Sequence, residues 1–145
     1  MSRYRNAVPK SVSNGALRKA LRPMFRAAQA EVPVGKGSER ISLKRRGATA
    51  NDYRRGGSTK RDLRIKAVRA EGDEITRLIL GVSKKRGKVG WRTHFITGGT
   101  ERMGRNDFLQ RAYDQTIAEV SMIYSRELYD RFMEWGRQNL PQGSL

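Results

Sequence analysis

The sequence predicts an α+β fold: an antiparallel sheet of three to four strands, one N-terminal helix packed on it, and a long C-terminal helix. Three observations carry that expectation. Leu17, Ala20, Leu21, Met24, Phe25 and Ala28 recur at helical spacing. DLRIKAV, EITRLILGV and WRTHFIT, between residues 62 and 97, alternate or carry β-favouring side chains and are separated by glycine-containing turns. From Asp107 onward the apolar residues return to a spacing of three and four, from Leu109 through Trp135.

Taken in order, residues 1–13 hold Arg3, Arg5, Lys10 and Pro9 with little apolar content, and read as a basic arm without a core of its own. A single domain is expected over 14–140, with 141–145 as a tail. Ser13 or Asn14 can cap the first helix, whose outer face takes Arg18, Lys19, Arg22 and Arg26. Pro23 lies inside this pattern, where it removes a backbone donor and predicts either a kink or a restart near Arg22. VPVGKG ends the element, and Ile41 and Leu43 can open a strand.

Residues 44–61, KRRGATANDYRRGGSTKR, carry seven basic residues, one acid and three glycines, which excludes them from a core. They read as a long basic loop, either solvated or contacting phosphates or an acidic partner. Leu63, Ile65 and Ala67 share one face of the next segment. AEGD turns at Gly72, and Thr76, Leu78, Leu80 and Val82 share a face of the return strand. Glu71, Asp73 and Glu74 sit on that tight turn and are expected to shape the hairpin. SKKRGKVG forms a second basic turn before the third expected strand, WRTHFIT.

TGGTERMGRN then breaks the pattern, and Asp107 is placed to cap the terminal helix. Running to about Gln138, that helix would be roughly 45 Å long before LPQG stops it. Tyr129, Phe132 and Trp135 fall near its end, either covered by the first helix or forming an interface. The expected core is Leu21, Phe25, Ile65, Leu78, Leu80, Phe95, Phe108, Leu109, Ala112 and Ile117.

Composition limits the chemistry. The 145 residues include no cysteine and one histidine, so disulfides and thiolate metal sites are excluded and His94 has no companion ligand set. No Ser-centred, HExxH or phosphate-loop motif is present. The GKG at Gly35 and Gly37 lacks both a preceding strand and a following Lys-Ser/Thr pair. The expectation is a protein that is not an enzyme, with no catalytic, cofactor or metal residues. No apolar run reaches the roughly 18 residues of a membrane span, and MSRYRNAVPK lacks the apolar core of a secretory signal. A soluble protein made in the cytoplasm, without membrane contact, is expected.

The formal net charge is +17. Residues 1–106 hold 27 Lys and Arg against 8 Asp and Glu, and residues 107–145 hold 4 against 6. Such a charge calls for an acidic partner. No zinc-finger spacing, helix-turn-helix or aromatic RNA-binding strand is visible, so a nucleic-acid reading rests on non-specific phosphate contact.

The segments ALRKALRPMFRAAQAEVPVGKG, WRTHFITGGT, Met103 and DFLQRAYDQ follow one another over residues 16–115. In order and spacing, covering about residues 14–138, the chain resembles the neck, or tail-completion, proteins of long-tailed bacteriophages. That family has a basic Ala- and Leu-rich helix, a Pro-Val-x-x-Gly break, a sheet, an aromatic-bearing strand ending in Gly-Thr, and a long terminal helix. This chain departs from it at Gly98, where an acid is common, at Asp107, where a Pro is common, and in the longer first basic loop. The resemblance implies a structural virion protein, a homo-oligomeric ring expected at six copies between head and tail, joining them and letting DNA pass. Its partners would be a portal-side connector or stopper, the tail tube, and by non-specific contact the genomic DNA.

Six such copies would carry about +100, which would hold DNA strongly in a lumen. The expectation is therefore that Lys44, Arg45, Arg46, Arg54, Arg55, Lys60 and Arg61 divide between the DNA end and acidic faces of adjacent rings. The connector, with Gly98, Gly99, Thr100, Arg102, Met103 and Arg105, is expected to contact a neighbouring subunit or ring. The alternatives are a free, non-specific nucleic-acid-binding protein and a minor tail component outside the neck.

Overall fold

A computed structural model describes residues 9–34, 57–85, 88, 90–102 and 104–139. The element order is α1 (Lys10–Ala20), α2 (Arg22–Glu31), α3 (Ser58–Asp62), β1 (Leu63–Val68), β2 (Arg77–Val82), a 3-10 turn (Gly90–Arg92), α4 (Thr93–Gly98) and α5 (Phe108–Asn139). The class is α+β, with a long C-terminal helix. The sheet has two strands among the described residues, β1 paired with β2.

The first helix starts earlier than its sequence pattern suggests. Pro9 is the N-cap, at φ −57° and ψ 136°, and its carbonyl accepts from the amides of Val12 and Ser13 at 3.0 and 3.2 Å. Lys10, expected in the basic arm, is therefore the first residue of α1. Ser13 and Asn14 lie inside α1 and neither caps it. Leu21 separates α1 from α2, and its amide donates to the Leu17 carbonyl at 3.0 Å. Pro23 then falls in the first turn of α2, where a missing N–H costs the helix no bond. Of the kink and the restart near Arg22 that the proline allows, the structure has the restart.

The chain forms two compact units. One draws its described residues from within 1–24, 65–79 and 116–145, the other from within 25–64 and 80–115. In the first, Ala16, Ala20, Leu21, Met24 and Val120 are buried, together with Ser13, Thr116 and Glu127. The Ser13 hydroxyl lies 3.1 Å from that of Tyr124, and Lys19 donates to the Glu127 carboxylate, so α1 runs beside α5. The Thr76 hydroxyl donates to the Asn14 amide oxygen, tying the hairpin to α1. In the second unit, Ala28, Val32, Leu63, Phe108 and Ala112 are buried, with Asp62 and Ser83.

The hairpin turn follows the expectation. Gly72 takes φ 55°, a left-handed value that costs glycine little. The Glu74 amide donates to the Glu71 carbonyl at 3.1 Å. Arg77 bridges both acids, at 2.6 Å from Glu74 and 2.9 Å from Glu71. The hydrogen bond from Arg77, then that from the Glu71 amide, holds the Glu74 carboxyl below its ordinary value.

The largest correction concerns WRTHFIT. In place of a third strand, residues 90–98 form the 3-10 turn and α4. A seven-residue segment with three large apolar side chains, Trp91, Phe95 and Ile96, fits both periods, and two glycines outside it decide between them. Gly90 is held against the end of β2, its amide donating to the Ser83 carbonyl at 3.0 Å. Gly99 adopts φ 78°, the left-handed stop of a helix. Phe95, expected in the core, is consequently exposed. Phe25, Ile65, Leu78, Leu80, Leu109 and Ile117 are half-buried, whereas Leu21, Phe108 and Ala112 are buried as expected.

A second correction falls at the end of the basic loop, where Gly57 at φ 78° leads into α3, so Lys60 and Arg61 sit on a helical turn. Ile41, Leu43 and the rest of that loop lie outside the described residues.

Candidate interaction surface

The connector begins where α4 stops. Gly98 is the last helical residue, and the chain leaves a helix at Gly99, not a sheet as the sequence suggests. Two hydrogen bonds organise the residues beyond Gly99. The Asn106 amide donates to the Ile96 carbonyl at 2.8 Å, filling an acceptor at the end of α4. The Arg102 amide donates to the Thr100 hydroxyl at 3.3 Å. Gly98, Thr100, Arg102 and Arg105 are exposed. Met103 lies outside the described residues.

The connector closes on the cap of α5. Asp107 accepts from the Gln110 amide at 3.3 Å and pairs with Arg105 at 3.1 Å. Arg105 first, then the Gln110 amide, holds the Asp107 carboxyl below its ordinary value. Arg111 anchors the same corner, donating to Glu31 at 2.9 Å and to the Asn106 side chain at 2.7 Å. The connector is thus pinned at both ends, and Arg102 is exposed between them.

The remaining expected residues divide between the units. Lys60 and Arg61, exposed on α3, belong to the same unit as the connector. Tyr129, Phe132 and Trp135 lie on α5 in the other. Tyr129 is 64% exposed, while Phe132 and Trp135 are half-buried and stack at 6.0 Å between ring centroids. Lys44, Arg45, Arg46, Arg54 and Arg55 fall outside the described residues.

Two features are absent from the expected site. Trp91 and Phe95 are exposed on the 3-10 turn and α4, with the His94 ring 3.9 Å from that of Phe95. Once this segment is helical, the spacing of 91, 94 and 95 places them on one side. The second is Met122, 70% exposed in the middle of α5. Its signal was in the sequence, because Ala118, Met122, Ser125 and Tyr129 repeat at four, three and four opposite the apolar stripe.

Among the described residues no group of three or more potential metal ligands occurs, and no helix is long and apolar enough to cross a membrane. No protein-family model, curated protein or solved structure matches the chain.

Proposed function

We propose that this chain is a structural virion protein of the bacteriophage neck, assembled as a ring that joins the DNA-filled head to the tail and lets DNA pass. The observation that carries this reading is the terminal helix. It is 32 residues long and leaves Met122 and Tyr129 exposed, on a chain of net charge +17. Exposed large apolar side chains on a regular helix call for a protein partner, and the charge calls for an acidic one. The order of sequence segments that resembles neck proteins supplies the setting in which both are met.

In this reading the ring has six copies and is made in the host cytoplasm. The pinned connector from Gly98 to Arg105 touches an adjacent subunit or ring, with Arg102 among its exposed charges. Lys60 and Arg61, with the basic residues before them, face the portal-side or tail-side ring or the DNA end.

A second reading, non-specific nucleic-acid binding, is favoured by the exposed Trp91 downstream of the exposed Lys84, Lys85 and Lys88. The two separate by experiment. Electron microscopy of a phage lysate lacking only this gene should show filled heads and finished tails lying apart. Joined, normal particles would refute the neck role, and steeply salt-dependent binding of duplex DNA by the purified chain would then support the second reading.

A further inference from the structure

Helix α5 carries a second stripe that its own unit leaves open. Thr116, Val120 and Glu127 are buried and define the covered face. Ala118, Met122, Ser125 and Tyr129 are exposed, and at 3.6 residues per turn they fall within an arc of about 60° on the opposite side. A spacing of four, three and four is the seam of a helix-to-helix contact. Ser125 donates its hydroxyl to the Ser121 carbonyl at 3.1 Å, so covering it strands no donor. Glu119 and Arg126 border the seam, are exposed, and have no ion-pair partner among the described residues.

We propose that a second copy of this chain packs antiparallel on this stripe, setting Ala118 against the second copy's Tyr129 and Met122 against its Ser125. Three properties of the stripe select that occupant and that register. Each layer then joins one large side chain to one small one, and the two-fold axis repeats the match. Glu119 of each copy falls beside Arg126 of the other, so each charge meets its opposite and the match occurs twice. The axis passes between Ile123 and Tyr124, the midpoint of Phe108–Asn139, so the contact is centred on the helix. A parallel pairing stacks Ala118 on Ala118 and Tyr129 on Tyr129, and brings Asp114 near Glu119. The inference stands on the helix and not on the neck reading: a two-fold contact closes on itself, whereas a ring is built head to tail.

The contact is short, below the standard interface size, so the dimer is expected to be weak, in the micromolar range. Sedimentation equilibrium of the full chain across that range should show monomer and dimer. Met122→Glu forces a charge into the seam and should weaken association about tenfold or more, with circular dichroism unchanged because Met122 is exposed. Glu119→Arg and Arg126→Glu should each weaken it, the double variant should restore it, and the two single variants mixed should pair with each other. A chain that stays monomeric at the highest concentration, a Met122→Glu variant that associates like the wild type, or a double reversal no better than the singles would each overturn the proposal. A six-copy assembly indifferent to Met122→Glu would also overturn it, and would leave the neck reading resting on the net charge and the order of the sequence segments.

Discussion

Gly90 is the position where one added carbon should do the most damage. It is buried at the foot of the 3-10 turn, and a Cβ there would lie 2.5 Å from the Ser83 carbonyl oxygen, 2.6 Å from its carbon and 2.6 Å from the Val82 carbonyl oxygen. All three are backbone atoms, so no rotamer change can make room. The same junction holds the Gly90 amide on the Ser83 carbonyl at 3.0 Å and the Ser83 amide on the Asp62 carbonyl at 2.9 Å. Lys88 meets Asp62 at 3.1 Å beside it. In Gly90→Ala, overpacking should cost ~1–3 kcal/mol, and a strained or lost buried hydrogen bond ~1–3 kcal/mol more. The reduced freedom of the unfolded chain returns ~0.4–1 kcal/mol. The net is about 1–5 kcal/mol, which for a chain of this length lowers the melting temperature by roughly 3–20 °C. Gly98→Ala is the control, because a Cβ there meets nothing within 4 Å and its φ is ordinary. Thermal denaturation followed by circular dichroism compares the two. A Gly90→Ala protein that melts within about 2 °C of the wild type would refute the packing argument.

Three further outcomes are expected. Phe108 is fully buried, so Phe108→Ala should cost ~3–5 kcal/mol in urea denaturation and Phe108→Leu distinctly less. Asp107→Ala removes the cap of α5 and should cost ~0.5–2 kcal/mol, while Asp107→Asn keeps most of that stability; equal losses in the two variants would deny the cap its role. Glu127 is held below its ordinary value of 4.5, chiefly by the hydrogen bond from Lys19. A carboxyl depressed on folding favours the folded state above that ordinary value and loses the advantage as pH falls through the depressed one. Acid titration of stability should therefore be steeper for the wild type below about pH 4.5 than for Glu127→Gln.

What the sequence made legible was whatever local chemistry decides. Pro23 announced the α1–α2 restart because a missing N–H has few places to go. Gly72 announced the hairpin turn, and Asp107 before Phe108 announced the start of α5, each through a backbone requirement read within a few residues. Ser13 misleads because its environment is set by Tyr124, 111 residues away, and a serine near a helix start looks like a cap whether or not it faces a neighbour. WRTHFIT misleads because β-favouring residues in a short run do not fix a period, and the docking of Gly90 on Ser83 is a tertiary fact. Of the candidate surface, the connector's C-terminal limit at Asp107 was legible, but its start at the end of a helix and its anchoring were not. Arg111 is an ordinary helix residue until it reaches Glu31 and Asn106. The outer stripe of α5 was present as spacing, but it could be told from a core stripe only once Thr116, Val120 and Glu127 were seen to be buried on the other side.

The hydrogen bond from Asn106 to Ile96 has a consequence for variation in this protein. It fastens by backbone the mouth of the loop that follows Gly98, so the loop's content is separated from the stability of the elements that bear it. Lengthening such a loop costs little, since closure entropy grows only with the logarithm of length. Substitutions and insertions between Thr100 and Arg105 can therefore accumulate while the helices on either side keep their places. This segment is where related chains can diverge in sequence and length without having to find a new fold.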